Sequence, residues 1–263
     1  MIKRSERMVG DVRVVSVSPV TTNAGTRDIF FIHMSWGGAW AFDLYMDYFA
    51  HHGHNTHALD LRGHGKSGGT VEGTSMQDYV NDVKDAIDTL PLENPIVVGH
   101  SMGGLVALMY SAQHGSSGTV SIDGSPPLEV QKTSEEKHYP LSYTPQDSGM
   151  PRNPIKTMML LPDIYPWRLM KLKMNLKVES GVARTDRKIG VSIPKEKLNM
   201  PLLFIGAANG TSLPGFGIGI KKARAQAEYY GAPIVEIEDA THPGILIGKH
   251  WKKSADAILE WLP

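Results

Sequence analysis

Residues 95–103 read P-I-V-V-G-H-S-M-G, and this stretch decides the fold. Its first half is apolar and β-branched, which predicts a strand buried on both faces. Residues 101–114 predict a helix, so Ser101 lies on a G-x-S-x-G turn between strand and helix. A serine there is lifted clear of the sheet, and side chains at Gly99 and Gly103 would collide with neighbouring backbone. The N-terminus of the helix beneath Ser101 favours a developing oxyanion.

The alternation of strands and helices continues on both sides of this turn. We predict strands over 12–20, 28–33, 54–61, 95–99, 119–123, 201–206 and 233–237, and helices over 40–52, 74–90, 101–114, 220–230 and 248–262. Pro19 predicts that the first strand lies at a sheet edge. Thr74 and Gln77 predict a capping box. The pattern indicates an α/β fold, a mostly parallel sheet with helices on both faces.

Residues 125–200 break this rhythm, with prolines at 126, 127, 140, 145, 151, 154, 162 and 166. We predict a core made of residues 1–124 and 201–263 and a lid or cap insertion over residues 125–200. Between Arg168 and Lys188 the insertion carries seven basic residues against two acidic ones. A solvated helix face explains such a run, and so does attraction of an anionic substrate or surface.

The amino-acid composition excludes several kinds of site and partner. The chain has 263 residues, 27 Lys and Arg against 27 Asp and Glu, and no cysteine. Charge balance gives no basic excess for nucleic acid, and the absence of cysteine excludes disulfides and a thiolate nucleophile. No apolar run approaches the about 18 residues of a membrane span, and the N-terminus does not resemble a secretory signal. We expect a cytoplasmic protein and leave a homo-oligomer open.

With its serine turn, the chain resembles the α/β-hydrolase superfamily, in particular serine esterases and lipases. Residues 60–67, D-L-R-G-H-G-K-S, are similar to the D-x-R-G-x-G-x-S loop of that family, whose role is structural. Residues 33–40, H-M-S-W-G-G-A-W, are similar to its H-G-x oxyanion loop, with Met34 in place of the usual glycine. The resemblance implies that Ser101 is the nucleophile and that the backbone N–H groups of Ser35 and Met102 form the oxyanion hole. His33 would anchor the loop.

The rest of the catalytic triad must come from later in the chain. His242 follows the last predicted strand and precedes the C-terminal helix, which is the family position of the general base. Most relatives place the acid after the strand that follows the lid, where this chain has Asn209. Asp123, at the end of the strand after Ser101, is the alternative acid. We prefer Asp123, since a carboxylate stabilises the imidazolium of the transition state and an amide does not.

These residues predict a carboxylic ester hydrolase that forms an acyl-enzyme and needs no cofactor and no metal. Its substrate would be a small-molecule ester. Trp36 and Trp40 flank the oxyanion loop and would line the acyl pocket, or they are simply core. A lactonase or a carbon–carbon hydrolase on the same triad is an alternative. So is a ligand-binding homologue that has lost catalysis, for which the missing late aspartate is the support.

Overall fold

The computed structural model describes residues 1–22, 25–90, 92, 94–131, 139–209 and 219–263. The strands are β1 (Ile2–Val9), β2 (Val12–Pro19), β3 (Asp28–Ile32), β4 (Asn55–Asp60), β5 (Ile96–His100), β6 (Gly118–Ile122), β7 (Ser142–Tyr143), β8 (Glu179–Ser180), β9 (Leu202–Ala207) and β10 (Ile234–Ile237). The α-helices are α1 (Asp43–His51), α2 (Met76–Thr89), α3 (Met102–His114), α4 (Leu128–Gln131), α5 (Pro154–Leu160), α6 (Pro166–Asn175), α7 (Gly181–Ile189), α8 (Ile220–Tyr230), α9 (Gly244–Ile247) and α10 (Trp251–Trp261). Short 3-10 helices cover Ala39–Phe42, Gln146–Ser148 and Lys195–Lys197.

The main sheet has the order β1-β2-β4-β3-β5-β6-β9-β10 within the described chain. Pairing is parallel from β4 to β10, and β2 is antiparallel to both β1 and β4. Successive residues of a strand point to opposite faces, so Phe31 and Phe30 fall into two separate apolar clusters. Both clusters are covered by helices. The predicted α/β architecture is confirmed.

The first strand was not foreseen, and it corrects one prediction. Pro19 was expected to put β2 at the edge, but β1 pairs along its whole length and is itself the edge strand. Pro19 is tolerated because it is the last residue of β2, opposite Ile2. Most of β1 is exposed and charged, which hides it from a search for apolar runs and protects the edge from pairing with another chain.

The capping box of α2 begins one residue later than predicted. Ser75, not Thr74, accepts from the backbone N–H of Asp78, and the Asp78 carboxylate accepts from the N–H of Ser75. With Ser75 as the N-cap, Asp78 is the third helical residue and takes the role expected for Gln77, which falls at the second.

Between β6 and β9 the chain leaves the sheet. The segment comprising residues 125–200, which we call the insertion, holds α4 to α7 and the small antiparallel pair of β7 and β8, with residues 132–138 outside the described part. Hydrogen bonds fasten it to the start of α2: the Ser180 hydroxyl and the Ala183 N–H both donate to Thr74 O. In the part of the chain that the structure describes, no helix is long and apolar enough to cross a bilayer.

Candidate active site

The turn between β5 and α3 has the geometry that the sequence predicted. Ser101 adopts φ 57° and ψ −117°, a sparsely populated conformation that costs about 1–3 kcal/mol. A Cβ on Gly99 would lie 1.9 Å from Gly103 O, and one on Gly103 would lie 2.2 Å from Ile32 O. The predicted collisions are therefore confirmed. Packed backbone on both sides forces the chain to turn at Ser101 and to present its side chain beyond the sheet.

Ser101 opens into a cavity of about 160 Å³ between the carboxyl ends of the strands and the insertion. This volume is close to that of the ~150 Å³ cavity known to accept benzene in another protein. His242 and Ser35 also line it, together with Tyr143 and Leu172 from the insertion. The space suits a small molecule or a short acyl group.

Asp123 and His242 are hydrogen-bonded to each other beside Ser101. The Nδ1 atom of His242 lies 2.5 Å from Oδ2 of Asp123, and both side chains are more than nine-tenths buried. A carboxylate can only accept, so Nδ1 carries the proton and Nε2 is left with the lone pair that a base needs. The structure thus brings the three predicted residues together.

Asn209, the alternative acid, is placed differently. It follows β9, its side chain is exposed, and its backbone N–H donates to Ala240 O. Among the described residues, the acceptor for Nδ1–H of His242 is the carboxylate of Asp123. Asp123 has φ 40°, so the strand end is turned to aim this carboxylate at the histidine.

His33 anchors the loop that was expected to hold the oxyanion. Its Nδ1 lies 2.7 Å from Met34 O and its Nε2 accepts from the N–H of Leu61. These partners require a neutral ring protonated at Nδ1. Burial and the neighbouring His64 lower the pKa of His33 to about 4, which agrees with that state.

Ser35 and Met102, predicted for the oxyanion hole, are neighbours. The Ser35 hydroxyl donates to the Met102 sulfur at 3.5 Å, and both residues are buried. Ser35 lines the cavity next to Ser101, while Met102 opens α3. The two loops that would supply backbone N–H groups therefore meet at the nucleophile.

The two tryptophans predicted for substrate contact lie in different places, one at the cavity and one against the core. Trp36 lines the cavity, has φ 62°, and donates from Nε1 to Tyr143 O. Trp40 is not among the described residues of the lining; it is partly buried and packs against the core. For Trp40 the core alternative is the one the structure supports.

The loop of residues 60–67 has the structural role that the resemblance implied. Asp60 is buried and accepts from the N–H groups of Ala39 and Lys66 and from Arg13. A Cβ on Gly65 would lie 2.2 Å from the carboxyl carbon of Asp60. The carboxylate thus ties this loop, β2 and the oxyanion loop together.

Sequence reasoning missed Glu179, a fully buried carboxylate from β8. It accepts from the Trp36 N–H at 3.2 Å and from the Tyr79 hydroxyl at 2.5 Å. His64 Nε2 lies 3.3 Å away, and His64 Nδ1 faces the carbonyl of Arg62, so both nitrogens point at acceptors. These surroundings favour the protonated form of the ring.

The pKa values agree with a buried ion pair. Burial opposes the charge on each partner, yet Glu179 raises the pKa of His64, and His64 with Arg187 lowers the pKa of Glu179 to about 2. The pair holds Trp36, and so the oxyanion loop, against the insertion. A lone glutamate in a proline-rich segment carries no sequence signal for this contact.

Asp163 was missed for the same reason, and it secures the loop of the base. Its carboxylate accepts from the N–H and the hydroxyl of Thr241, and a Cβ on Gly244 would lie 1.7 Å from Asp163 Oδ2. His100 supports the loop from the other side, since its Nε2 lies 2.9 Å from His242 O. Burial lowers the pKa of His100 well below its ordinary value, so this supporting imidazole ring is neutral.

Comparison with known proteins agrees with the fold and the turn. A family model described as alpha/beta hydrolase fold matches residues 29–148. The AB hydrolase superfamily protein YisY of Bacillus subtilis is 39% identical over 88 residues, 34% of this chain and 33% of that protein. The bifunctional esterase/perhydrolase DCH of Acinetobacter calcoaceticus is 32% identical over 124 residues, 44% of each chain. The matches thus span a third to under half of these relatives' length.

A solved structure extends the likeness to the whole chain. The crystal structure of E-2-(acetamidomethylene)succinate hydrolase superposes with a TM-score of 0.72 over 100% of this chain and 99% of that one, at 17% sequence identity. At this identity the likeness concerns the fold alone. With its serine turn, its sheet order and its match to the family model over residues 29–148, the chain has the α/β-hydrolase fold.

Proposed function

We propose that this α/β hydrolase cleaves carboxylic esters through a covalent acyl-enzyme. The observation that supports the proposal most directly is the 2.5 Å contact between His242 Nδ1 and Asp123 Oδ2, in a cavity that Ser101 also lines. A serine, a base with a free nitrogen and a carboxylate behind it make up a nucleophilic triad. One relative, DCH, is named as an esterase and perhydrolase, which agrees with acyl chemistry at such a site.

The reaction follows from these roles. Ser101 Oγ attacks the ester carbonyl while His242 Nε2 takes its proton, and the imidazolium formed is stabilised by Asp123. The oxyanion accepts from the backbone N–H groups of Ser35 and Met102. His242 then gives the proton to the leaving alcohol, and the C–O bond breaks to leave an acyl group on Ser101. Water, deprotonated by His242, attacks this acyl group and releases the acid and the free serine.

The test is hydrolysis of 4-nitrophenyl esters from acetate to a long acyl chain by the wild type and by Ser101→Ala. We expect turnover by the wild type alone, with an optimum at short chains because the cavity is about 160 Å³. A fluorophosphonate probe should label the wild type and Ser117→Ala, whose altered serine is exposed before the amino end of β6, but not Ser101→Ala. A protein that hydrolyses no ester and takes no label would contradict the proposal. Labelling without ester turnover would direct the search to lactones and diketones.

A further inference from the structure

The fixed charges that line the cavity all have one sign. In the described lining they are the side chains of Arg184, Arg187, Lys188 and Lys222, and no described Asp or Glu side chain faces the same space. The two arginines are partly buried, and the two lysines are exposed. A cleft lined by one sign of charge concentrates the opposite charge within it. A neutral ester would gain nothing from this arrangement.

Arg184 is held in a fixed orientation. Its guanidinium carbon lies 4.3 Å from the ring centroids of both Tyr139 and Tyr143, and its Nη1 donates to Ser148 Oγ at 2.9 Å. Stacking restrains the guanidinium plane without neutralising its charge. A planar fork held in this way matches the two oxygens of a carboxylate.

Arg187 contacts the hydroxyl of the same tyrosine. Its Nη2 donates to the Tyr143 hydroxyl at 2.9 Å and its Nε to Ala183 O. The described salt bridges of arginines involve Arg4, Arg13, Arg62 and Arg224, so neither cavity arginine has a described carboxylate partner in a salt bridge. Glu179 acts on Arg187 from a greater distance, but its charge is already matched by His64.

A purely structural role for Arg184 and Arg187 would not explain why both positions carry a positive charge. Hydrogen bonds to Ser148 and Tyr143 need only a neutral donor. The two partly buried cations have carboxylates acting on them only from beyond salt-bridge distance, Asp147 on Arg184 and Glu179 on Arg187, so their burial still costs free energy. An anionic ligand would remove that cost. The basic run between Arg168 and Lys188 thus places three members on the cavity, of which the two arginines are partly buried and Lys188 is exposed.

On the basis of the proposed ester hydrolase function, we propose that the substrate carries a carboxylate group. Arg184 and Arg187 bind this carboxylate on the insertion side of the cavity while the ester carbonyl lies at Ser101. Lys188 and Lys222 at the rim attract the anion as it approaches.

The test compares two esters of the same shape and different charge. Mono-(4-nitrophenyl) glutarate ends in a carboxylate, and 4-nitrophenyl 5-methylhexanoate ends in an isopropyl group of similar size. Release of nitrophenol by Ser101→Ala serves as the background for each ester. We expect kcat/KM for the glutarate to exceed that for the isostere by about 10-fold or more, the range of one charge-assisted contact. The ratio should fall as ionic strength rises.

Variants assign the preference to the cavity. Arg184→Gln should bring the ratio close to one, and Lys222→Gln should lower the ratio by about 2-fold or 3-fold. Lys221→Gln is the matched control, because Lys221 is exposed, adjacent in sequence and outside the described lining. A ratio near one in the wild type, or one that Arg184→Gln and Lys222→Gln leave unchanged, would overturn the carboxylate site. The ester hydrolase would survive that result.

Direct binding separates the two proposals. Calorimetry with glutarate should show binding to Ser101→Ala and weaker binding, by about 10-fold, to the Ser101→Ala, Arg184→Gln double variant. Binding of this kind without turnover of either ester would support the carboxylate site and contradict the esterase. Failure of both would overturn both.

Discussion

The two walls of the cavity differ in charge and in the way they are held. The sheet wall presents Ser101, Ser35 and His242, and its one nearby carboxylate, Asp123, is bound to the histidine. The insertion wall presents Arg184 and Arg187. On the proposed function, the sheet wall breaks the ester bond and the arginines of the insertion wall select an ester that carries a carboxylate. The chemistry and this part of the selectivity would then be carried by separate parts of the chain.

The forces that position each wall differ as well. Backbone packed against backbone fixes the sheet wall, as the 1.9 Å and 2.2 Å approaches at Gly99 and Gly103 show. The insertion is fixed by buried polar contacts between distant segments, such as Glu179 with His64 and Asp163 with Thr241. The first kind of contact tolerates no added atom. The contact of Glu179 with His64 depends on charge and therefore on pH.

The largest effect should come from removing the nucleophile of the sheet wall. Ser101→Ala should reduce kcat by roughly 10⁴-fold to 10⁶-fold, because triad residues act as a unit. Steady-state assays of a good ester substrate with purified protein would measure this. Glutarate binding should remain, because the arginines are untouched. Loss of glutarate binding in a folded Ser101→Ala protein would show that the two walls are not independent.

The acid of the triad should come next. Asp123→Ala should reduce kcat by about 10³-fold to 10⁴-fold, because His242 loses the acceptor that fixes its tautomer. Asn209→Ala, a change at an exposed side chain, should alter kcat by no more than about 2-fold. The opposite order of effects would move the acid to the loop after β9.

Breaking a buried contact of the insertion wall should lower the stability of the protein rather than the rate of the chemical step. Glu179→Gln keeps an oxygen for the Trp36 N–H but leaves His64 without its counter-charge. The free energy of unfolding should fall by about 3–5 kcal/mol, as for other broken buried ion pairs. Urea denaturation of the variant beside Glu196→Gln, an exposed control, would measure it. A loss below about 0.5 kcal/mol would mean that the pair contributes no more than a surface contact.

The stability difference between wild type and Glu179→Gln should also depend on pH, with a sign that follows from the two pKa shifts. The lowered pKa of Glu179 stabilises the fold above about 4.5 and loses this effect as pH falls toward about 2. The raised pKa of His64 stabilises it below about 6.5 and loses this effect as pH rises through the folded value. The stability difference between wild type and Glu179→Gln should therefore be largest between pH 4.5 and 6.5 and shrink on both sides. A difference independent of pH would contradict an ionised pair.

The smallest effect concerns the helix to which the insertion is fastened. Ser75→Ala should lower the free energy of unfolding by about 1 kcal/mol, since it removes the N-cap of α2. Gln77→Ala should cost less, because Gln77 takes no part in the observed capping box. Thermal unfolding of both variants would test the corrected capping assignment.

The difference between the walls also explains what the sequence could predict. Ser101, Asp123 and His242 each follow a strand of the main sheet, and apolar runs in the sequence predict such strands. Glu179 follows no such pattern, because β8 has two residues and its contacts lie about 100 residues away at Tyr79 and 143 at Trp36. Of the two readings for Trp40 the structure supports the core, because closeness in sequence to the oxyanion loop does not fix the direction of a side chain.

Two carboxylates of the insertion accept hydrogen bonds from the backbone of two loops of the core. Glu179 holds the Trp36 N–H on the oxyanion loop, and Asp163 holds the Thr241 N–H beside the base. Exchange of residues 125–200 for a segment from another enzyme would leave both N–H donors without an acceptor. Each unsatisfied donor would lower the free energy of unfolding by about 1–3 kcal/mol. Any chimera built to change substrate range must therefore carry these two acids with the new segment, or it will lose the geometry that it was meant to reuse.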